Sequence, residues 1–264
     1  MSSITIPSLA TENPFSFQGA IYISKRASGV PGPYWWMCNA PKADFAPNVT
    51  RRNHRESYSG NRQIDRTRIS SRDAKMTLTG EDLHKKNMAL ALGGTEVTTA
   101  GGSITAEAMP TMAVGGVYKT KYPNGSSHVI TDSAGSPATL TLNTHYKILN
   151  AKSGLIEILS LGAFTQPFKV AYTAAAVTVI TGMTADDADE YAIFVDDLNT
   201  EAAPDQAIGM EIYRVQFDPT KLLALINAEG GSFDLEATVL RDLTKATDNE
   251  FGGYFRWIYS DANS

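Results

Sequence analysis

The chain has 264 residues, of which 42% are hydrophobic and 19% charged, and a formal net charge of -5. That length and composition supply one large core or two smaller ones, and they exclude a disordered chain and a helical bundle, because the polar positions are dominated by Thr, Ser, Asn and Gly. A single cysteine, Cys38, excludes an internal disulfide.

The start, MSSITIPSLA, lacks the basic residues and long apolar run of an export signal, and no stretch approaches the roughly 20 apolar residues that cross a bilayer. The expectation is a protein made and kept soluble in the cytoplasm. Residues 1–19 read as an arm rich in Ser, Thr and Pro. GAIYISKR and PYWWMCNA then read as strands separated by the SGVPGP turn. Pro41 to Gly60 has two prolines, clustered basic residues and no apolar period, so it reads as a long loop, exposed or engaged with a partner. In the extended stretch that follows, continuous pleating would put Arg62, Arg66, Arg68 and Arg72 on one face and Ile69 on the other.

After the short strand AKMTL a helix is expected. Thr79 caps it, Asp82 reaches back, Leu83, Asn87, Leu90 and Ala91 form its buried stripe, and Gly93-Gly94 end it. Residues 113–174 then change texture: short apolar runs alternate with Asn-Gly, Ser-Pro, Ser-Gly and Gln-Pro turns every 8 to 12 residues or so, the rhythm of a small all-β module. From 175 onward longer strands return. In SFDLEATVL, Phe233, Leu235, Ala237 and Val239 alternate with Asp234, Glu236 and Thr238, giving one apolar and one wet face. A second short helix is expected over TKLLALINA, with Asp218 as cap, Pro219 at the first position, and Leu222, Leu225 and Ile226 buried.

Charge is unevenly placed. Arg51 to Lys75 carries eight basic residues against three acids, a balance of +5, while Asp186 to Asp218 carries ten acids against Arg214 alone, a balance of -9. Opposite blocks of this kind are either solvated surfaces or what a subunit needs to meet an identical copy through different faces. No phosphate-cradling glycine loop, nucleophile elbow or zinc-binding helix motif is present, and the four histidines are scattered. The acidic run at Asp186 to Glu190 lacks the spacing and glycine of a calcium loop. The expectation is a non-enzyme with no cofactor and no metal.

The order of HRESYSGNRQIDR, a short strand and a helix ending ALALGG, followed near the C-terminus by EIYRVQFDP, LEATVLRD and FGGYFRWIY, resembles the major tail tube proteins of long-tailed, non-contractile bacteriophages. The segment with HYKIL and SGLIEIL is similar to an insert carried by some of these subunits. The resemblance implies a β-sandwich or barrel of the tail tube type with one or two flanking helices. In that reading 1–112 and 175–264 form a discontinuous tail tube domain, and 113–174 a small inserted β domain on the outer surface.

It further implies six copies closing into a ring, and rings stacking head to tail into a hollow tube, within a virion assembled in the host bacterial cytoplasm. Its partners would be other copies of itself, the tape measure protein, the tail terminator, distal tail proteins, and phage DNA passing through without specific binding. Arg51, Arg52, Arg55, Tyr58, Arg62, Arg66, Arg68 and Arg72 are then the interface candidates. A bore that lets DNA slide should avoid fixed basic contacts, which makes Asp234 and Glu236 the lumen candidates. Alternatives are a secreted carbohydrate-binding or adhesin module using Trp35, Trp36 and Trp257, or the tube of a contractile injection machine.

Overall fold

The computed structural model describes residues 17–186, 189–199, 207–226, 230–245 and 250–259. In chain order its elements are β1 (Phe17–Ala27), β2 (Val30–Pro31), β3 (Trp35–Trp36), β4 (Lys42–Arg55), β5 (Ile64–Gly80), α1 (Lys85–Ala91), β6 (Thr95–Thr99), β7 (Gly102–Ala108), β8 (Val117–Lys119), β9 (Gly125–Thr131), β10 (Tyr146–Asn150), β11 (Leu155–Ile158), β12 (Lys169–Ala174), β13 (Val177–Thr181), β14 (Tyr191–Asn199), β15 (Ala207–Asp218), β16 (Phe233–Val239) and β17 (Phe255–Tyr259). The class is all-β with one short helix among the described residues.

The chain divides into two compact units, Met1–Thr95 with Ile180–Ser264, and Glu96–Val179. The second begins earlier and ends later than the 113–174 expected, because the stretch just after the helix forms β6 and leads into β7, which pairs with β12.

In the first unit a nine-stranded antiparallel sheet runs β2-β1-β14-β15-β16-β5-β4, with β3 also pairing with β1 and β17 with β15. One edge of β15 serves two partners: Ile208 to Ile212 pair with β17, and Val215 to Asp218 with β16. Alternation puts Ile21, Ile23, Ile193, Val195, Met210, Ile212, Leu235, Ala237, Leu78 and Met76 into one core. Phe45 of β4 meets Phe255 of β17 edge-on at 4.7 Å, so strands from distant parts of the sheet face each other across it.

The helix is shorter than expected and starts later. Thr79 belongs to β5 and donates its hydroxyl to Asp234 Oδ1 at 2.7 Å, while Asp82 Oδ2 accepts the Asn39 N–H at 2.7 Å, so neither caps it. Leu83 is exposed outside the helix, whereas Asn87, Leu90 and Ala91 are buried as foreseen. Buried Asn87 is satisfied: its carboxamide donates to the Met37 carbonyl at 2.8 Å and accepts from the Trp35 indole N–H at 3.2 Å. Gly93, at φ +53°, makes the left-handed exit.

The second helix does not form. Thr220 donates its hydroxyl to the Leu222 carbonyl, Leu223 bridges to Phe233, and Leu222, Leu225 and Ile226 are exposed. A side chain that bonds the nearby backbone competes with helical pairing, and among the described residues nothing covers Leu222, Leu225 or Ile226. The remaining residues of that expected helix, 227–229, lie outside the described residues.

The second unit packs the sheet β10-β11-β8 with the sheet β7-β12-β9 around Ile130, Leu140, Ile156, Ile158, Phe168 and Val170. Asp132 organises its turns by accepting the N–H groups of Ala138 at 2.8 Å and of Thr165 at 3.3 Å. Those backbone bonds hold its carboxyl below the usual range.

Candidate functional site: the β4–β5 arm

The segment read as a loop, 41–60, is chiefly a strand. β4 pairs with β5 from Lys42↔Thr79 to Arg55↔Ile64. Only the base of this hairpin belongs to the core, through Phe45, Ala74, Met76 and Leu78; from Ala46 and Asp73 outward every residue of both strands is exposed. A two-stranded ribbon alone is marginally stable in water, so an arm with both faces wet points to something that covers it. The sequence hid the strand because neither face is apolar and no alternation exists to read.

A bulge at Ser70 changes which residues share a face. Thr50 pairs with Ser71 and Arg51 with Ile69, which leaves Ser70 unpaired. As a result Arg52↔Arg68 and His54↔Arg66 lie on one face, while Val49↔Arg72 and Arg51↔Ile69 lie on the other. The expectation of Arg62, Arg66, Arg68 and Arg72 on a single face is therefore corrected: Arg66 and Arg68 stay together, Arg72 crosses over, and Arg62 belongs to the turn at φ +49°.

Arg52, His54, Arg55, Arg66 and Arg68, with Asn53, border a hollow of about 380 Å³. Its one acidic neighbour, Asp65, lies 2.6 Å from His54 Nδ1, a bond that holds the carboxyl below its usual range, and 4.0 Å from Arg66 Nε. Among the described residues no carboxylate lies within 4.0 Å of Arg52 or Arg68. Like charges directly opposite on a ribbon repel, so the hollow is arranged for an anionic partner.

The tip is ordered by one carboxylate. Glu56 is 6% exposed, and its Oε2 accepts the N–H groups of Tyr58 and Ser59, both at 2.8 Å. Its Oε1 accepts the Gln63 N–H at 3.2 Å and the Ser59 hydroxyl. These bonds, the Ser59 hydroxyl foremost, pull its carboxyl down to about 2. The turn presents Tyr58, which is 86% exposed. Arg55 braces it by donating Nη1 to the Arg62 carbonyl at 3.0 Å.

The acidic block is partly spent inside the unit. Asp189 pairs with Lys25 at 2.7 Å, Glu190 with Arg214, and Glu211 with Arg256 at 2.7 Å. Asp186, Asp218 and the Lys25-paired Asp189 border a separate hollow of about 600 Å³, whereas Asp187 lies outside the described residues. Asp234 and Glu236 stand on the wet face of β16 as expected, beside Thr79 and Lys221; Lys221 Nζ lies 2.5 Å from Glu236 and lowers its carboxyl. Lys42 and Lys75 share that face, which is thus mixed in charge.

One feature carried no signal in the sequence. An apolar slot of about 520 Å³ opens at the end of the first unit's core, between the start of β1, the start of β4, and β17. Its floor is Ile21, Met76, Val195 and Met210, and Phe17 and Trp257 stand at its rim with ring centroids 5.5 Å apart. Of the tryptophans read as sugar-stacking candidates, Trp35 is partly buried against the core and bonded to Asn87, while Trp36 and Trp257 are exposed. Among the described residues no group of three His, Cys, Asp or Glu side chains is placed to hold a metal, and no helix is long and apolar enough to cross a membrane.

These features define an all-β chain with an exposed basic hairpin arm and an aromatic tip. It matches, over residues 14–258, the family described as protein of unknown function UCP028589, and it belongs to that family. Comparison with curated proteins gave no match.

Proposed function

We propose that this chain is a structural, non-enzymatic virion subunit, the major tail tube protein of a long-tailed, non-contractile phage, whose copies close into hexameric rings and stack into a DNA-conducting tube. The observation that carries the reading is the β4–β5 arm: a ribbon stripped of core contacts, on which no described carboxylate lies within 4.0 Å of Arg52 or Arg68, is suited to lie on another subunit. Asp186, Asp189 and Asp218 border a second hollow on the same unit and give it the opposite sign, the combination a head-to-tail interface uses. Asp234 and Glu236, on a wet face of mixed charge, fit a bore that does not hold DNA, and Arg66, Arg68 and Arg72 then face a neighbouring subunit. The tape measure, terminator and distal tail proteins would be the partners at the ends of such a tube.

Electron microscopy and sedimentation of the purified protein over a range of concentration and salt test the reading. Rings or hollow tubes are the expected outcome. A protein that stays monomeric at every concentration, or one that retards DNA through its arm, would overturn it.

A further inference from the structure

The arm ends in an exposed tyrosine on a turn whose backbone Glu56 orders, and the same unit carries a slot with an apolar floor that nothing in the described residues fills. We infer that Tyr58 of one copy inserts into the slot floored by Ile21, Met76, Val195 and Met210 of a second copy. This rests on the assembly reading above and specifies its anchor contact.

Three observations carry it. The tip is pre-organised: Glu56 fixes the turn with bonds to Tyr58, Ser59 and Gln63, so little conformational freedom is lost when Tyr58 docks. An ordered, fully exposed aromatic at the end of an arm is the side chain type that dominates binding energy when it enters a pocket. The slot is open to solvent and continuous with the hydrophobic core, and about 520 Å³ admits an aromatic ring with part of its turn.

Reach decides between intramolecular and intermolecular docking. The slot lies at the base of the hairpin, at Ala43 and Phe45, whereas Tyr58 lies beyond Arg55 at the other end of β4. A strand of that length puts them about 40 Å apart, and the ladder from Lys42↔Thr79 to Arg55↔Ile64 keeps the arm extended. A Tyr58 that enters the slot must therefore come from another chain. Because knob and slot are different surfaces, each copy that docks leaves one knob and one slot unused, and the contact propagates. Gln18 and Asn39 in the slot wall can receive the phenol hydroxyl, while Arg55 and Arg62 flank the tip as it seats.

The test uses the full-length protein with a photoreactive benzoyl-phenylalanine in place of Tyr58, irradiated under assembly conditions. Cross-links to the peptides carrying Ala40 to Phe45 or Trp257 of a second copy are expected. Labelling of any other surface overturns the inference and leaves the slot to another occupant, such as residues 1–16 or a small apolar molecule. Two variants supply an independent arm of the experiment: Tyr58→Ala removes the knob, and Ala43→Trp fills the slot. Each should raise the concentration needed for growth about 30-fold or more, and Tyr58→Phe should assemble nearly as wild type. A one-to-one mixture of Tyr58→Ala and Ala43→Trp should double the particle mass of either alone and then stop, since only one productive pairing remains. Growth of either variant at the wild-type concentration overturns the contact. Wild-type protein that never assembles overturns the assembly reading with it, whereas assembly with cross-links elsewhere removes only the knob and slot.

Discussion

Glu56 shows how one carboxylate governs the end of a forty-residue excursion. Its ordinary value is 4.5 and in the folded arm it falls to about 2, so it contributes order that is fully present above 4.5 and is lost as pH falls through about 2. Glu56→Gln should leave the core folded but speed amide exchange at Tyr58, Ser59 and Gln63 at neutral pH; unchanged exchange would show that the turn holds without it. Arg26 and Asp242 make the opposite kind of contribution, inside the unit. Both side chains are 3% exposed, their charged groups lie 2.9 Å apart, and Asp242 also caps the turn at Thr244. Removing Asp242 leaves the buried Arg26 with Glu190 3.9 Å away and the Tyr213 and Gly29 carbonyls, so Asp242→Ala should cost about 3 kcal/mol in denaturant unfolding, the low end for a broken buried pair. Replacing both by apolar residues should recover part of that loss. His128 gives the second unit a pH limit. It is 7% exposed, stacks on Tyr172 at 5.3 Å with its Nε2 unpartnered, and burial depresses its basicity. A histidine kept neutral by folding loses stability as pH falls below its ordinary 6.5. In thermal unfolding, His128→Leu should therefore lose less stability than wild type as pH falls below 6.5.

At the scale of elements, what was legible in the sequence depended on whether an element buries one face. β16 shows its alternation plainly, and its apolar residues are all buried. The wet Asp234 and Glu236 followed from the same period. β4 buries almost nothing, so a fourteen-residue strand read as a loop. The arginines of the arm were identifiable as a cluster, but the bulge at Ser70 that divides them between two faces depends on pairing, which no local pattern encodes. The expected helix over TKLLALINA failed for a related reason: a good cap and an amphipathic period need a surface to bury against, and Leu225 and Ile226 at 86% and 96% exposure have none. The slot was invisible because its residues come from six strands and a loop that only the fold brings together. The arm's independence from the core makes a prediction of its own. Replacing 46–73 by a two-residue turn between Phe45 and Ala74 should leave the thermal midpoint of the first unit within a few degrees of wild type, since none of the removed residues belongs to the core cluster. Sedimentation should show that this variant no longer assembles; a collapse of the fold instead would mean that the arm stabilises its own sheet.

At the scale of the whole molecule, the chain leaves the first unit at Thr95 and returns to it at Ile180. The two crossing points are close: β6 and β13 pair as a two-stranded ribbon, and the Thr95 and Thr181 hydroxyls lie 2.9 Å apart. Each unit has its own core cluster, with no residue common to both. A segment that departs and returns at adjacent points, with a separate core, can be excised without stretching the remainder. Joining Thr95 to Ile180 by a two-residue turn should therefore yield a folded first unit, with the near-ultraviolet signal of Trp35 against Tyr191 retained, their rings being edge-on at 6.4 Å. If the second unit is decoration on a tube, this shortened protein assembles as wild type does, because arm, slot, wet face and acidic hollow all belong to the first unit. A folded first unit that no longer assembles would assign the second unit a share of the subunit contacts, and would move the search for the remaining interface to the exposed Val114, Val117 and Leu149 on its surface.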